Sequence, residues 1–499
     1  MSSKEIFILT VDQSTSGTKA IVFNQDGELI TKTTIPLQSY YPQVGYVEQS
    51  PIEIYQTVIE AVKTCTEQFE ALYPNQTHNI VSCGITNQRE TFVVWDENGE
   101  PLHQAIVWQC KRSIETCNRL HLQGLECEIK SRTGLKIDPY FSATKLIHLY
   151  ENDACVREKI EAGNAYFGTV DTWLLYKLTN GGKYITDHTN ACRTLFYNIF
   201  ELKWDEFLLD KFNLSKLNLP EVCHSSCHFG VSDFEKIFDR PIPITGMIGD
   251  SHAAAFGEAC YSEGTAKVTL GTGSSILWNT GNKPVSSNSG MVTTICWSIE
   301  NRINYALEGV IVSCGATIEW LKKQLGILTD SIETESIAQS LESCEGVYII
   351  PAFSGMGAPH WKMNWKASIH GLTFKSNKSH IVRAALESIP YQIKDVISVM
   401  EQEAQTSLKE LKADGGITQN GFLMHFLTDL LGTKVVNIGI TDVSAYGAAL
   451  IAGLGAGIWQ NIEDFPKNNK AQVFIPSEDT DSIKEAYVGW QKVISDVLV

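Results

Sequence analysis

IFILTVDQSTSGTKAIVFNQDGELI, residues 6–30, decides how this chain is read. An apolar run from Ile6 to Val11 ends in a turn rich in Ser, Thr and Gly. A second apolar run follows, and Asp26-Gly27 closes it. Asp-Gly between apolar runs is a strong hairpin signal. Lys267 to Asn282, KVTLGTGSSILWNTGN, repeats the grammar: strand, Gly/Thr/Ser turn, strand, Thr280-Gly281 turn. Two such hairpins, each opening a block of strands and helices, predict a duplicated α/β domain. The boundary falls near Ile244 to Asp250, which divides the chain into residues 1–247 and 248–499.

Outward from the first hairpin, residues Ser50 to Phe69 read as a helix. Ser50 and Glu53 form a capping box, Pro51 takes the first helical position, and Ile52, Tyr55, Ile59 and Val62 share a face. CGITNQRETFVVWDENGE, residues 83–100, is again strand, loop, strand, turn. ADGGITQNGFLMHFLTDLLG, residues 413–432, is a late Gly-rich turn that follows a helix and opens another.

The 499 residues allow two to four domains at about 150 residues each. With 43% hydrophobic and 19% charged residues the chain is an ordinary globular sequence. Its net charge of -17 and lack of a basic stripe argue against a nucleic-acid partner. They argue equally against an anionic membrane surface. Small molecules remain, and a phosphate would arrive with a divalent metal. The 13 cysteines contain no CxxC pair. CHSSCH, residues 223–228, lacks a second ligand cluster at finger-like spacing and reads as a polar loop. Reduced cysteines, a six-residue apolar run at the start and no stretch of roughly 20 apolar residues predict a cytoplasmic protein.

The turns carry the chemistry. Asp12 to Lys19, DQSTSGTK, offers backbone N–H groups and hydroxyls to a phosphate, with Lys19 adding charge and Asp12 holding magnesium through water. An ordinary polar hairpin is the competing reading, and it applies to Gly271-Thr272-Gly273-Ser274 as well. One such turn per half favours a gripped nucleotide tail. Gly415-Gly416 would let the backbone approach an adenine or ribose that Asn420 could hydrogen-bond; a simple helix entry is the alternative. Arg89-Glu90, between two strands, supplies donors and an acceptor for vicinal hydroxyls, or is a solvated pair. Trp108 could pack on a polyol, or is core. Asp250 ends an apolar run before small residues and is either a general base or a helix N-cap. Neither GxxxxGK[ST] nor GxGxxG occurs, which disfavours P-loop and Rossmann folds.

These residues together resemble the FGGY carbohydrate kinases, and among them the glycerol-kinase branch. The matching segments run nearly end to end and include VDQSTSGTKA, GITNQRETFVVWD, AIVWQCKRS, TGLKIDPYFSATK, TLGTGSSILWNTG, GVYIIPAFSGMGAPHW and ADGGITQNGFLMHFLTDLLGT. NQRET and AIVWQC are specific to that branch. The resemblance implies two domains of the actin/hexokinase (ribonuclease H-like) type with an interdomain active-site cleft. It implies ATP-dependent transfer of phosphate to glycerol with Mg2+, and it leaves a homodimer or homotetramer open. Arg89, Glu90, Trp108 and Tyr140 then bind the polyol, and Asp250 is the base. The nucleotide falls to Ser14, Thr15, Ser16, Lys19, Thr272, Gly315, Glu319, Gly416 and Asn420, and the metal to Asp12 and Asp250.

Three departures stand out. Ser251 replaces the Gln that follows the base, Ser275 replaces a pocket Phe, and Ser14 replaces a glycine of the first turn. The first two predict a larger, wetter substrate pocket and admit a longer polyol or sugar: erythritol, a pentitol or a ketose. GVSDFEKIFDR, residues 230–240, is acidic where the bacterial relatives carry a fructose 1,6-bisphosphate loop, so that site is not carried over. A kinase relative without turnover is a remoter reading. So is a serine hydrolase, suggested by Gly249-Asp250-Ser251-His252-Ala253.

Overall fold

A computed structural model describes residues 5–300, 302–467 and 470–498. The chain forms two compact units, and neither is a contiguous half. The first is Met1–Ala259, Thr293–Tyr305 and Asp442–Lys467. The second is Cys260–Val292, Ala306–Thr441 and Asn468–Val499.

The first unit is built on a six-stranded sheet: β1 (Phe7–Gln13), β2 (Gly17–Asn24), β3 (Leu29–Pro36), β4 (Ile80–Asn87), β5 (Ser226–Ser232) and β6 (Ile242–Gly249), in the order β5-β6-β4-β1-β2-β3. The opening hairpin forms as its residues dictate, with Asp12 opposite Lys19. Gly27, at φ +76°, makes the turn into β3. Strands β1, β4 and β6 run parallel, so their carboxyl ends share one edge of the sheet. Ligand sites of open α/β sheets gather at such an edge.

One face of this sheet is covered by the helix Pro51–Leu72. Ser50 caps it by accepting from the Glu53 amide at 3.3 Å, but the Glu53 carboxylate accepts from Gln38 N and Tyr40 Oη instead of closing a capping box. The buried stripe is Ile54, Val58, Ala61, Val62, Cys65 and Phe69. Of the expected face only Val62 is buried; Tyr55 and Ile59 are half-buried and Ile52 is exposed, because the stripe that meets the sheet is rotated around the helix toward Ile54, Val58 and Ala61.

The helix Val443–Gly455 crosses β4 and β6 and returns a late stretch of sequence to the first unit. Its small residues make this possible. A Cβ on Gly84 would lie 2.5 Å from the Ala448 carbonyl oxygen, and one on Gly246 would lie 2.7 Å from Ala452 N. Thr245 donates to Ala452 O at 2.7 Å and shares a hydrogen bond with Ser82.

The second unit repeats the plan. Its strands β7 (Thr265–Leu270), β8 (Ser274–Gly281), β10 (Arg302–Ile311, from Ala306 on), β11 (Glu410–Asp414), β12 (Val435–Asn437) and β13 (Gln472–Phe474) lie in the order β10-β8-β7-β11-β12-β13, while β9 (Val292–Ile299) falls almost wholly in the segment Thr293–Tyr305 of the first unit. As in the first unit, an antiparallel hairpin (β7-β8) is extended by parallel strands on its first member. Ile389, Ile393 and Val396 of the long helix Lys378–Ala404 pack on Val268, Leu270 and Ile276 of this sheet. The Gly-rich turn at 415–416 follows the short strand β11, not a helix directly, and opens the helix Gly421–Leu431. Among the described residues no helix is long and apolar enough to cross a membrane.

Candidate active site

In the first unit the chemistry-bearing residues collect at the carboxyl ends of β1, β4 and β6. β4 ends at Asn87 and the next residues turn sharply: Glu90 has φ +62°, a left-handed conformation that a glutamate adopts only when its surroundings fix it. β6 ends at Gly249, the N-cap of the helix Asp250–Gly257, so Asp250 is the first helical residue and not the cap. A Cβ at Gly249 would stand 2.8 Å from Arg89 Cγ; the glycine lets the arginine pass. Arg89 Nε then lies 3.2 Å from Asp250 Oδ1, with the arginine buried and Asp250 about one-third exposed at 35%. The Ser251 amide donates to the same oxygen at 2.6 Å.

Glu90 is fully buried and accepts from Arg193 Nε at 2.6 Å. Its backbone carbonyl accepts from Ser142 Oγ at 2.8 Å. The Arg193 guanidinium lies over the Tyr140 and Phe141 rings, at 5.9 and 5.2 Å. Tyr140 meets Trp108 edge to face at 5.5 Å. Trp108 Nε1 donates to Thr15 Oγ1 at 2.9 Å, which joins the phosphate-turn hydroxyl to the aromatic pair. Thr15 Oγ1 in turn donates to Gln88 Oε1. Arg89, Glu90, Trp108, Tyr140, Thr15 and Asp250 therefore belong to one linked constellation.

The first turn itself is differently employed. Ser14 Oγ donates to Gly17 O at 2.7 Å, so its hydroxyl closes the hairpin, and Ser16 is exposed with its carbonyl accepting from Leu37 N. Lys19 Nζ stands 3.2 Å from Asp12 and 3.1 Å from Asp442. Asp442 is also held by Lys32 at 2.8 Å. Burial raises the Asp12 carboxyl above the usual carboxylate range; Lys19 pulls it down, and the negative charges of Asp250 and Asp442 push it up. Asp12 and Asp250 are thus close enough to repel each other. A divalent cation relieves such repulsion, and magnesium needs only one or two carboxylates when phosphates and waters complete its shell. The pair fits that ion. No group of three or more potential ligands is assembled among the described residues.

The second unit holds a cavity of about 610 Å³, ample for a nucleoside. Its walls come from several segments, among them the turn at Gly271-Thr272, the start of the helix Gly315–Lys323 with Gly315 and Glu319, and the turn at Gly416 to Asn420. The Cys314 and Ala316 amides donate to Thr272 O, and the Gly315 amide to Gly271 O. A Cβ on Gly315 would lie 2.8 Å from that same Gly271 oxygen. Gly415 has φ +98°, and a side chain there would collide with the Leu270 backbone. Gly416 faces open space. Asn420 lines the cavity but uses both ends of its amide locally, accepting from Leu423 N and donating to Thr334 Oγ1. Glu319 pairs with Lys323 at 2.8 Å on an exposed helix face. Ser275 donates to the buried Glu308 at 3.3 Å, so its hydroxyl has a local partner.

Several residues of these sites carry no motif. Thr334 and Glu335 line the cavity, and Arg193, Ser142 and Lys145 support the charged site. They come from segments far from the turns in sequence, and only DPYFSATK, part of the resemblance, hinted at Ser142 and Lys145.

The chain matches the N-terminal domain of the FGGY family of carbohydrate kinases over residues 7–257 and the C-terminal domain of that family over residues 266–456. It is 44% identical to a glycerol kinase of Petrotoga mobilis, with 98% of each chain covered. It is 42% identical to one of Halothermothrix orenii, with 99% of this chain and 98% of the other covered. Among solved structures it resembles the Plasmodium falciparum glycerol kinase with ADP, at a TM-score of 0.92 and 35% identity, covering 99% of this chain and 98% of that one. A Lactobacillus acidophilus gluconate kinase shares the fold at a TM-score of 0.89 and 19% identity.

Proposed function

The chain belongs to the FGGY family of carbohydrate kinases, and on that premise we propose that it phosphorylates glycerol to glycerol 3-phosphate with ATP. The observation that carries the reading is the constellation at the carboxyl ends of β4 and β6. Arg89 lies 3.2 Å from Asp250, beside the buried Glu90 and the Trp108–Tyr140 pair. A three-carbon triol needs such a mixture: cationic and anionic groups for vicinal hydroxyls, an aromatic wall for the carbon face, and one carboxylate at the reacting oxygen.

Asp250 is the general base. It is partly exposed, where the residues behind it are buried, and Arg89 and the Ser251 amide orient its carboxylate. The reaction brings the γ-phosphorus of ATP in line with the substrate oxygen as Asp250 takes the proton. Magnesium, held near Asp12 and Asp250, would spread charge from the phosphate oxygens. Lys19 serves Asp12: clamped between Asp12 and Asp442, it keeps that carboxylate placed and partly neutralised. The cavity bordered by Thr272, Gly315 and Gly416 takes the adenosine, with backbone approaching where side chains are absent.

A second reading concerns breadth. Ser251 and Ser275 are short, and the Ser275 hydroxyl turns to Glu308. Losing a side chain's contact or hydrogen bond typically costs about 1–3 kcal/mol of discrimination. This favours some activity on four- and five-carbon polyols. ADP release with MgATP over glycerol, erythritol, dihydroxyacetone and pentitols tests both readings. The expected result is the highest kcat/KM for glycerol with measurable turnover of erythritol. No turnover of glycerol would end the first reading, and a strict preference for glycerol the second.

A further inference from the structure

We infer that Lys145 is a positioning residue for substrate binding, holding the Tyr140 loop and the Glu90 turn in register from behind. The inference rests on the glycerol-site reading of Tyr140 and Glu90 given above.

Lys145 is the fourth residue of the helix Ser142–Asn152 and is fully buried. That is an adverse place for a cation. The N-terminal turn of a helix carries partial positive charge, and burial strips away water. Its ammonium group reaches back and donates to Pro139 O at 2.8 Å and to Tyr140 O at 2.7 Å. Both carbonyls belong to the segment that leads into the helix. The lysine thus ties down the segment that aims the Tyr140 ring at Trp108.

The same helical turn reaches the other half of the site. Ser142 Oγ donates to Glu90 O, and Ala143 N donates to Thr194 O, next to the arginine that holds the Glu90 carboxylate. The negative charge of Glu90 in turn supports the buried ammonium. One helix terminus therefore joins three segments, 88–91, 138–141 and 190–194, and Lys145 is its charged link.

Burial pushes the Lys145 ammonium down to about 8, with Glu90, Cys110, Asp138 and Cys117 the groups that pull it back up. Glu90 sits on the loop after β4, Asp138 on the segment before the helix, and Cys110 and Cys117 on residues 105–122. A neutral amine still donates, but more weakly than a charged one, and no longer balances Glu90.

Lys145→Met keeps the length and removes the charge. The expected result is a glycerol KM raised about tenfold, with kcat within threefold and the ATP KM within twofold. Titration calorimetry gives a second readout. Glycerol Kd of the unmodified protein should weaken severalfold between pH 7 and pH 9 while ADP Kd stays level, and the slope should vanish in Lys145→Met. A variant that raises both KM values alike, or that keeps the wild-type pH slope, overturns the proposal. Should the methionine variant fail to fold, the unmodified protein decides: a glycerol Kd flat from pH 7 to 9 overturns it. If the unmodified protein neither binds nor phosphorylates glycerol, the functional reading falls instead.

Discussion

The two units build their sites from opposite materials. In the first, the proposed site rests on charged side chains locked by other charged side chains: Arg89 on Asp250, Glu90 on Arg193, Asp12 and Asp442 on Lys19. In the second, it rests on side chains that are missing. Gly315 sits where a Cβ would press on Gly271, and Gly415 where one would strike Leu270. A nucleotide is recognised largely by backbone approach, which glycine permits and any other residue obstructs. A small polyol and a moving proton need preset charge. Damage to the two sites should therefore read out differently, on different substrates.

The widest separation is expected at Asp250. Asp250→Asn keeps the shape and the contact with Arg89 but removes the base, so kcat should fall roughly a hundredfold or more. The ATP KM and the melting temperature should hardly move. Steady-state kinetics with a thermal melt check this, and a kcat near normal would assign the base elsewhere.

Arg193→Met comes next. It removes the Arg193 guanidinium from the buried Glu90, and breaking a buried ion pair from one side costs about 3–5 kcal/mol. Denaturant unfolding should show that loss, and glycerol binding should weaken with it while ADP binding by the folded fraction persists. A stability change under about 1 kcal/mol would mean that the pair is balanced by other groups around it.

Gly415→Ala tests the opposite material. The residue has φ +98° and its Cβ would meet backbone, so strain of about 1–3 kcal/mol is expected. Here the ATP KM should rise and the glycerol KM should stay. An equal rise in both would blur the contrast between the units.

The same contrast explains what could be read from sequence. The hairpins at Asp12–Lys19 and Gly271–Ser274 and the glycines at 415–416 were legible because a turn demands particular residue types at fixed spacing. Strand β4 with its Arg89-Glu90 turn was legible for the same reason. The partners of those residues were not. Arg193 and Asp442 meet their partners across 103 and 423 positions, and no local pattern announces such pairs. Lys19 shows the cost. Its place in a phosphate-like turn suggested an anion ligand, and its geometry adds Asp12 and Asp442 as partners. The division at residue 247 failed to anticipate Val443–Gly455, because a helix of small residues looks alike whichever sheet it packs on.

The smallest expected effect lies behind the first site, in Asp171 and Asp187. Both carboxyls are buried, Asp171 on the helix Val170–Leu178 with Thr186 Oγ1 donating to it at 2.6 Å. Asp187 caps the short helix His188–Ala191, whose Thr189 Oγ1 accepts from the Gly249 amide just before the base. Burial first, and the charge of Asp187 second, push Asp171 up to about 7. A carboxyl raised in the folded state binds its proton more tightly there than in the unfolded chain. Its contribution to stability is whole below the ordinary aspartate range and is lost as pH rises through about 7. Asp171→Asn keeps an acceptor for Thr186 and cannot ionise. It should change the melting temperature least near pH 4 and raise it progressively up to pH 8, because the parent loses about 1.4 kcal/mol per pH unit while only its unfolded chain is ionised, and it should hardly move the activity. Melts at the two pH values decide the point. A variant less stable at pH 8 than the parent would mean that the ionised Asp171 is held by its hydrogen bonds more firmly than burial opposes it.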